Sequence, residues 1–369
     1  MHPVRSSGYP FAPMSPLPTR VLTGDTPTGR LHLGHFVGSI ENRLALQEKH
    51  ECFFLVANMH AFTTRAEKSA EIRADTIEIV KDWLAAGIDP ARSAIFLQTE
   101  VPAIAELTWF FSMLIPFNKV MRNPTLKTEI DTKGLGDTYP FGFPMYAVGQ
   151  CADILAFRPA YVPVGEDQVA HIEMCRDVAL KFNQMYCGVG NRVEPKDHVS
   201  AGGVFPIPEA KVGRVGRLPG IDGKNKMSKS LGNAIFLSDP AKEVEKKIGK
   251  ITTGRQSLTE KGDTTNILFD FVRAFIKDPS RVQELERRYA EGDNIGDGHI
   301  KKELAENINA LLEPMRQRRG EFEKPGGDDV VIDILKAGTA RANTVAEETL
   351  AMAKDAMKLK FWERKVTAH

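Results

Sequence analysis

The sequence predicts an α/β fold, a doubly wound parallel sheet with an α-helical C-terminal domain. Two observations carry this. Short buried-strand patterns alternate with helical stripes from residue 20 to about 115, and from Asp239-Pro240 to Met357 nearly every segment reads helical. Strictly alternating strand and helix implies parallel strands with helices on both faces.

Taken in order, Arg20-Val21-Leu22 reads as the tail of a short buried strand, and Leu33, Val37, Ile40 and Leu44 recur behind it at helical spacing. Residues 52–58 and 93–98 are strand-like apolar runs. Between them lies a helical stripe of Ile72, Thr76, Ile79 and Trp83 that stops at Gly87. Residues 128–139, with Gly134, Gly136 and several charges, read as a loop. Tyr161-Val162-Pro163-Val164 is a further β-like run, leading into a helical pattern around Ile172, Val178 and Phe182. Helices are expected over 241–250, 265–276, 300–323 and 345–360, with Pro314 kinking the third and breaks at 293–298 and 324–327. The chain therefore divides into a flexible tail (1–19), an α/β domain (20–235) with an inserted helical connecting region at about 115–160, and a helical domain (236–369).

Composition narrows the class. At 369 residues the chain can bury a sizeable core and form two domains, and its net charge of +1 leaves any nucleic acid to be met by local patches. The four cysteines, at 52, 151, 175 and 187, include no Cys-x-x-Cys pair, so they read as reduced, mostly buried thiols of a cytoplasmic protein and argue against zinc or iron–sulfur modules. No apolar run is long enough to span a bilayer. The first 20 residues hold prolines at 3, 10, 13, 16 and 18, which oppose the amphipathic helix of a transit peptide, and no signal-peptide core is present.

The densest signal is Gly24-Asp25-Thr26-Pro27-Thr28-Gly29-Arg30-Leu31-His32-Leu33-Gly34-His35. It is a glycine-bracketed turn entering a helix after the first strand, where free N–H groups and the positive helix end favour an anion. His32 and His35, three apart on a helix, would share a face, and Gly34 lets a flat ligand lie on bare backbone. Three plainer readings compete. Arg30-Leu31 replaces the Lys-Ser/Thr of a phosphate loop, His-x-x-His lacks the rest of a zinc site, and a lone histidine is more often a satisfied polar residue.

A second motif, Gly223-Lys224-Asn225-Lys226-Met227-Ser228-Lys229-Ser230, follows Leu218-Pro219-Gly220-Ile221-Asp222. A charge run is usually a solvated face, but flanking glycines make this a loop whose lysines can neutralise separating phosphates. The ordered pair, His-Leu-Gly-His and Lys-Met-Ser-Lys-Ser, resembles the two signatures of class I aminoacyl-tRNA synthetases. Residues 146–157, Val162-Pro163-Val164-Gly165-Glu166-Asp167-Gln168, His171-Ile172-Glu173, Phe205-Pro206-Ile207-Pro208-Glu209-Ala210 and Gly87-Ile88-Asp89-Pro90 resemble, in order, blocks of bacterial tryptophanyl-tRNA synthetases.

Residue chemistry supports a pocket less sharply. Tyr146, Gln150 and Asp153 share one face if their segment is helical. Asp153 lies among apolar neighbours, where a carboxylate needs a partner. It can pair with Arg158, lie exposed, or accept a ligand's indole N–H, and a tyrosine hydroxyl would serve equally. Acids at 166 and 167 suit a first helical turn as well as a ligand.

The resemblance implies a Rossmann-like catalytic domain that activates L-tryptophan with ATP and magnesium, releases pyrophosphate, and transfers tryptophan from the adenylate to its tRNA. It implies His32, His35, Lys226 and Lys229 as catalytic residues. Thr26, Thr28, Gly34, Gly165, Asp167, Met227 and Ser228 would join them in binding ATP, with Lys127 a further phosphate ligand; Thr26 stands where relatives often carry a longer polar residue. His60, Tyr146, Gln150, Asp153, Val162, Val164 and Gln168 would bind tryptophan. The helical domain would contact the tRNA anticodon, with Lys246, Lys247, Lys250, Arg255, Arg316, Arg318 and Arg319 as its scattered basic residues, and the enzyme would be a homodimer. No protein ligand for a metal, no DNA and no membrane partner is expected. Alternatives are a tyrosine-specific enzyme of the same subclass, a small nucleotidylyl transferase, which would lack the helical extension, and a non-catalytic paralogue that binds tryptophan or RNA.

Overall fold

The computed structural model describes residues 19–213, 218–225, 227–229, 231–255 and 257–362. Lys226 and nearly all of the tail expected at 1–19 lie outside them. Five strands, β1 (Arg20–Asp25), β2 (Glu51–Val56), β3 (Ser93–Leu97), β4 (Tyr161–Val164) and β5 (Glu209–Val212), form one parallel sheet in the order β3-β2-β1-β4-β5. The chain builds outward from β1 to β3, then crosses to the other side for β4. The carboxyl ends of β1 and β4 therefore flank a topological switch point, where ligands of open α/β sheets bind. Pro163 has no N–H to give, and the Thr23 hydroxyl donates to its carbonyl at 2.6 Å, tying β4 to β1.

The helices, in chain order, begin with α1 (Leu33–His35), a π-helical turn (Phe36–Ile40) and α2 (Glu41–Gln47), which run on from one another. Next come α3 (Phe62–Arg65), α4 (Ser69–Ala86), α5 (Pro102–Ser112), α6 (Phe117–Met121), α7 (Pro124–Thr132), α8 (Gly142–Leu155) and α9 (Val169–Cys187). The last are α10 (Ala241–Gly249), α11 (Ile267–Phe275), α12 (Pro279–Glu291), α13 (Asp297–Phe322) and α14 (Gly327–Ala356). Alternate strand residues feed two cores. Val21, Phe54, Val56 and Ile95 join α4 and α10–α13, while Leu22, Phe53, Leu55 and Phe96 join α5, α8, α9 and the second half of α14. In α4 the stripe Ile72, Thr76, Ile79 and Trp83 is buried, and Gly87 ends the helix at φ 115°.

Three expectations change. Residues 128–132 belong to α7 rather than to a loop, because Asn123 caps the helix by accepting the Thr125 N–H at 2.9 Å and Pro124 occupies its first turn. Pro314 sits within one continuous helix, α13. The last helix starts at Gly327, well before residue 345: small residues on its buried face press on β3, with Gly338 so close that a Cβ would overlap the Ile95 carbonyl. Thr339 accepts the Leu97 N–H at 3.3 Å, so α14 covers an edge strand that would otherwise be open.

Candidate active site

At the end of β1, Gly24 packs so closely on β2 that any Cβ would overlap the Leu55 carbonyl. Asp25 is paired with Arg43 at 2.8 Å and accepts the Trp83 indole N–H at 3.2 Å. Burial alone would raise its carboxyl, but Arg43 outweighs it and holds Asp25 below the usual range. The following turn exposes Thr26 and Thr28. Arg65 donates to the Pro27 carbonyl at 2.9 Å, and Gly29 adopts φ 87°. His32 is the residue before α1, with extended backbone, so the two histidines do not share a helical face; they meet at the cap. The His35 Nδ1 accepts the His32 N–H at 3.2 Å, and the ring centroids lie 3.8 Å apart.

The two signature motifs converge through backbone pairing. Leu33 N–H donates to Ile235 at 2.9 Å and Leu237 N–H to Leu31 at 2.9 Å, stitching the first turn to the segment that follows the lysine-rich loop. Within that loop Asn233 accepts the Ser228 N–H at 2.7 Å and donates to Asp222 at 3.0 Å. Met227 turns its side chain into the core at 3% exposure, and its Cβ lies 3.7 Å from where a Cβ on Gly34 would stand. Lys229 reaches back over the first turn: its Nζ lies 2.5 Å, and Asp75 Oδ1 2.7 Å, from the point a Cβ on Gly29 would occupy. Burial lowers the Lys229 pKa, with Asp75 opposing.

A second cluster lines the ends of β2, β3 and β4. Helix α8 brings Tyr146, Gln150 and Asp153 to one face. Asp153 is 2% exposed and accepts from Gln98 Nε2 at 2.8 and 3.0 Å, while Arg158 donates to the Val204 carbonyl instead of pairing with it. The same Gln98 nitrogen lies 3.0 Å from His60 Nε2, and His60 Nδ1 lies 3.6 Å from Asp153. Burial pushes Asp153 up to about 8 against the pull of Gln98. Burial, and then His171, pushes His60 down to about 4, and burial takes His171 to about 4. Both imidazoles are therefore neutral at pH 7. Gly149 makes room for His60, since a Cβ would stand 2.8 Å from its Nε2. The Tyr146 hydroxyl lies 3.4 Å from His171, and Gln150 donates to Gln168 at 3.5 Å.

Val162 and Val164 are buried in β4, which delivers Gly165 and Asp167 to the sheet edge. A Cβ on Gly165 would stand 2.8 Å from Asp167 Oδ1, and the Asp167 carbonyl accepts the Thr125 hydroxyl at 2.7 Å. Lys127 is exposed on α7, two residues beyond Thr125. Sequence reasoning missed Gln98, whose one signal is a polar residue closing a buried strand pattern. The basic residues of the C-terminal helices are largely engaged within the chain. Lys247 pairs with Asp239 at 2.6 Å, Arg318 donates to the Ala85 carbonyl at 2.7 Å, and Arg319 is buried among acids.

Comparison with known proteins shows the family of the chain. Residues 15–313 match the family model of tRNA synthetases class I (W and Y). A tryptophan–tRNA ligase of Clostridium longisporum is 40% identical over 347 residues, 93% of this chain and 97% of that one. One from Streptococcus mutans is 41% identical over 349 residues, covering 93% and 98%. The tryptophanyl-tRNA synthetase of Campylobacter jejuni, solved with ADP and tryptophan, superposes with a TM-score of 0.73 at 33% identity, covering 92% of this chain and 100% of that one.

Proposed function

Because this chain belongs to the class I tRNA synthetases of the tryptophan and tyrosine group, we propose that its two clusters divide the reaction, the glycine–histidine turn with the lysine loop holding ATP and the Asp153 cluster holding tryptophan. The reaction itself is the ATP-dependent ligation of tryptophan to tRNA. A tryptophan carboxylate oxygen attacks the α-phosphorus in line; the new O–P bond forms as the bond to pyrophosphate breaks. The terminal ribose hydroxyl of tRNA then attacks the acyl carbon and AMP leaves. Positioning and charge neutralisation supply the acceleration, since no covalent protein intermediate is needed.

In this reading His32 and His35 donate to ATP oxygens, with Thr26 and Thr28 beside them, and Gly34 and Gly165 leave bare backbone for the nucleotide. Asp167 takes the ribose hydroxyls. Lys229, with Lys226, Ser228 and the backbone of Met227, draws off charge as pyrophosphate separates, and Lys127 approaches from α7. Magnesium enters with the triphosphate. The carboxylates nearest the turn are each paired with an arginine, Asp25 with Arg43, Asp75 with Arg65 and Asp82 with Arg319, so they add no net negative charge against the phosphates.

Asp153 accepts the indole N–H, held in place by Gln98, while His60, Tyr146, Gln150, Val162, Val164 and Gln168 surround the amino acid. A large ring with one buried donor provides selection by size and by hydrogen bonding together. Residues 20–235 form the catalytic domain and 236–369 the part that meets the anticodon. Trp109, Met113 and Phe117 are each more than 60% exposed along α5 and α6, an apolar surface that supports a homodimer. The unbridged cysteines at 52, 151, 175 and 187 support a cytoplasmic setting.

The observation that carries the reading is Lys229 poised over Gly29 beside the paired histidines. Lys229→Ala and His35→Ala should each lower tryptophan-dependent ATP–pyrophosphate exchange by about 100-fold or more while leaving the tryptophan Kd, read by equilibrium dialysis, within about twofold. Parallel loss of tryptophan binding would contradict the division.

A further inference from the structure

The backbone of the first turn is held by a group far from both motifs in sequence. Asp82, on α4, has no exposed surface, and its Oδ2 accepts the Leu31 N–H at 2.5 Å. Its other oxygen accepts from Arg319 on α13, a guanidinium only 5% exposed that also pairs with Glu78 at 2.5 Å and Glu323 at 2.8 Å. The Leu31 carbonyl is taken by the Leu237 N–H, so both backbone polar groups of this residue are held, between Gly29 under Lys229 and the cap residue His32. Burial pushes Asp82 up to about 6, against the opposing pull of Arg319 and the Leu31 N–H. A charge pair placed so deep is weak evidence of stability, because two well-packed apolar side chains would serve as well or better. A carboxyl aimed at one backbone N–H of the ligand-binding turn has a more specific use.

We propose that Asp82 and Arg319 are positioning residues for adenylate formation: Arg319 on α13 orients the Asp82 carboxylate, and Asp82 fixes the Leu31 peptide so that Gly29, His32 and His35 present a preformed surface to ATP. The inference rests on the assignment of that turn to ATP. It makes α13, which belongs to the C-terminal helices, a structural support of the nucleotide site.

The test uses the full-length enzyme with Asp82→Ala, Asp82→Asn, Arg319→Lys and Arg319→Gln, alongside His35→Ala. KM for ATP and kcat of tryptophan-dependent pyrophosphate exchange are measured, with the tryptophan Kd by equilibrium dialysis. Asp82→Ala should lower kcat/KM for ATP by about tenfold or more with the tryptophan Kd unchanged within about twofold. Asp82→Asn keeps an oxygen that can accept from Leu31 but turns its NH2 toward Arg319, so it should recover part of that loss; Arg319→Lys should likewise exceed Arg319→Gln. Should Asp82→Ala fail to fold, the Arg319 pair carries the test. Equal decline in ATP and tryptophan parameters, no recovery in Asp82→Asn or Arg319→Lys, or a wild-type ATP response while His35→Ala is impaired would overturn the proposal. An unimpaired His35→Ala would remove the ATP assignment beneath it and the proposal with it.

Discussion

Lys229 Nζ stands 2.5 Å from the position that a Cβ on Gly29 would take, so the two motifs, about 200 residues apart in the chain, meet where a side chain at residue 29 would push the lysine aside. The same glycine has φ 87°, a conformation L side chains rarely adopt. Gly29→Ala should therefore cost about 1 kcal/mol of stability and displace Lys229. Chemical denaturation and exchange kinetics should show a modest stability loss with a drop of about tenfold or more in kcat/KM for ATP; unchanged ATP kinetics would show that the contact does not shape the phosphate site.

Asp153→Ala should raise the KM for tryptophan by about 10- to 100-fold, the cost of leaving a buried donor without its acceptor, with KM for ATP nearly unchanged. Substrate titrations of exchange provide the check. Equal losses for the two substrates would undo the assignment of this pocket.

The legible part of the fold was the part written in periodicity. Large apolar residues at helical spacing and a stop at Gly87 define α4, and short buried runs locate β2 and β3. The first half of α14 escaped because its contacts with β3 are made by Gly338, Thr339 and Ala342, too small to mark a stripe. The signature residues were legible as types in a known order, whereas what brings them together is tertiary. The 235–237 segment that clasps Leu31 and Leu33 has no local mark, and Gln98 becomes a partner of both His60 and Asp153 only because β3 ends beside β2 and beneath α8.

The pocket's titrations predict a pH signature in the ligand-free enzyme. Asp153 has its folded pKa raised from 3.8 to about 8, so its contribution to stability is fully present below pH 3.8 and is lost as pH climbs toward 8. His60 is depressed from 6.5 to about 4, so its contribution is present above 6.5 and lost as pH falls toward 4. Relative to Asp153→Asn, the wild type should lose up to ~1.4 kcal/mol per pH unit within the upper window. Urea unfolding at pH 5, 6, 7 and 8 measures the difference; a constant gap between the two proteins would show that Asp153 is not buried as described.

The exposed surface of Trp109, Met113 and Phe117 predicts self-association. Sedimentation velocity should give a dimer for the wild type and a shift toward monomer for Trp109→Glu/Met113→Glu. A monomeric wild type, or a dimer indifferent to both changes, would assign this surface elsewhere.

The most direct measurement is ATP–pyrophosphate exchange by the purified enzyme with magnesium, run separately with tryptophan, tyrosine, phenylalanine and no amino acid. Exchange with tryptophan alone is the predicted result for a chain whose reaction is the ligation of tryptophan to tRNA. A preference for tyrosine, or no exchange with any of the three, would contradict the account.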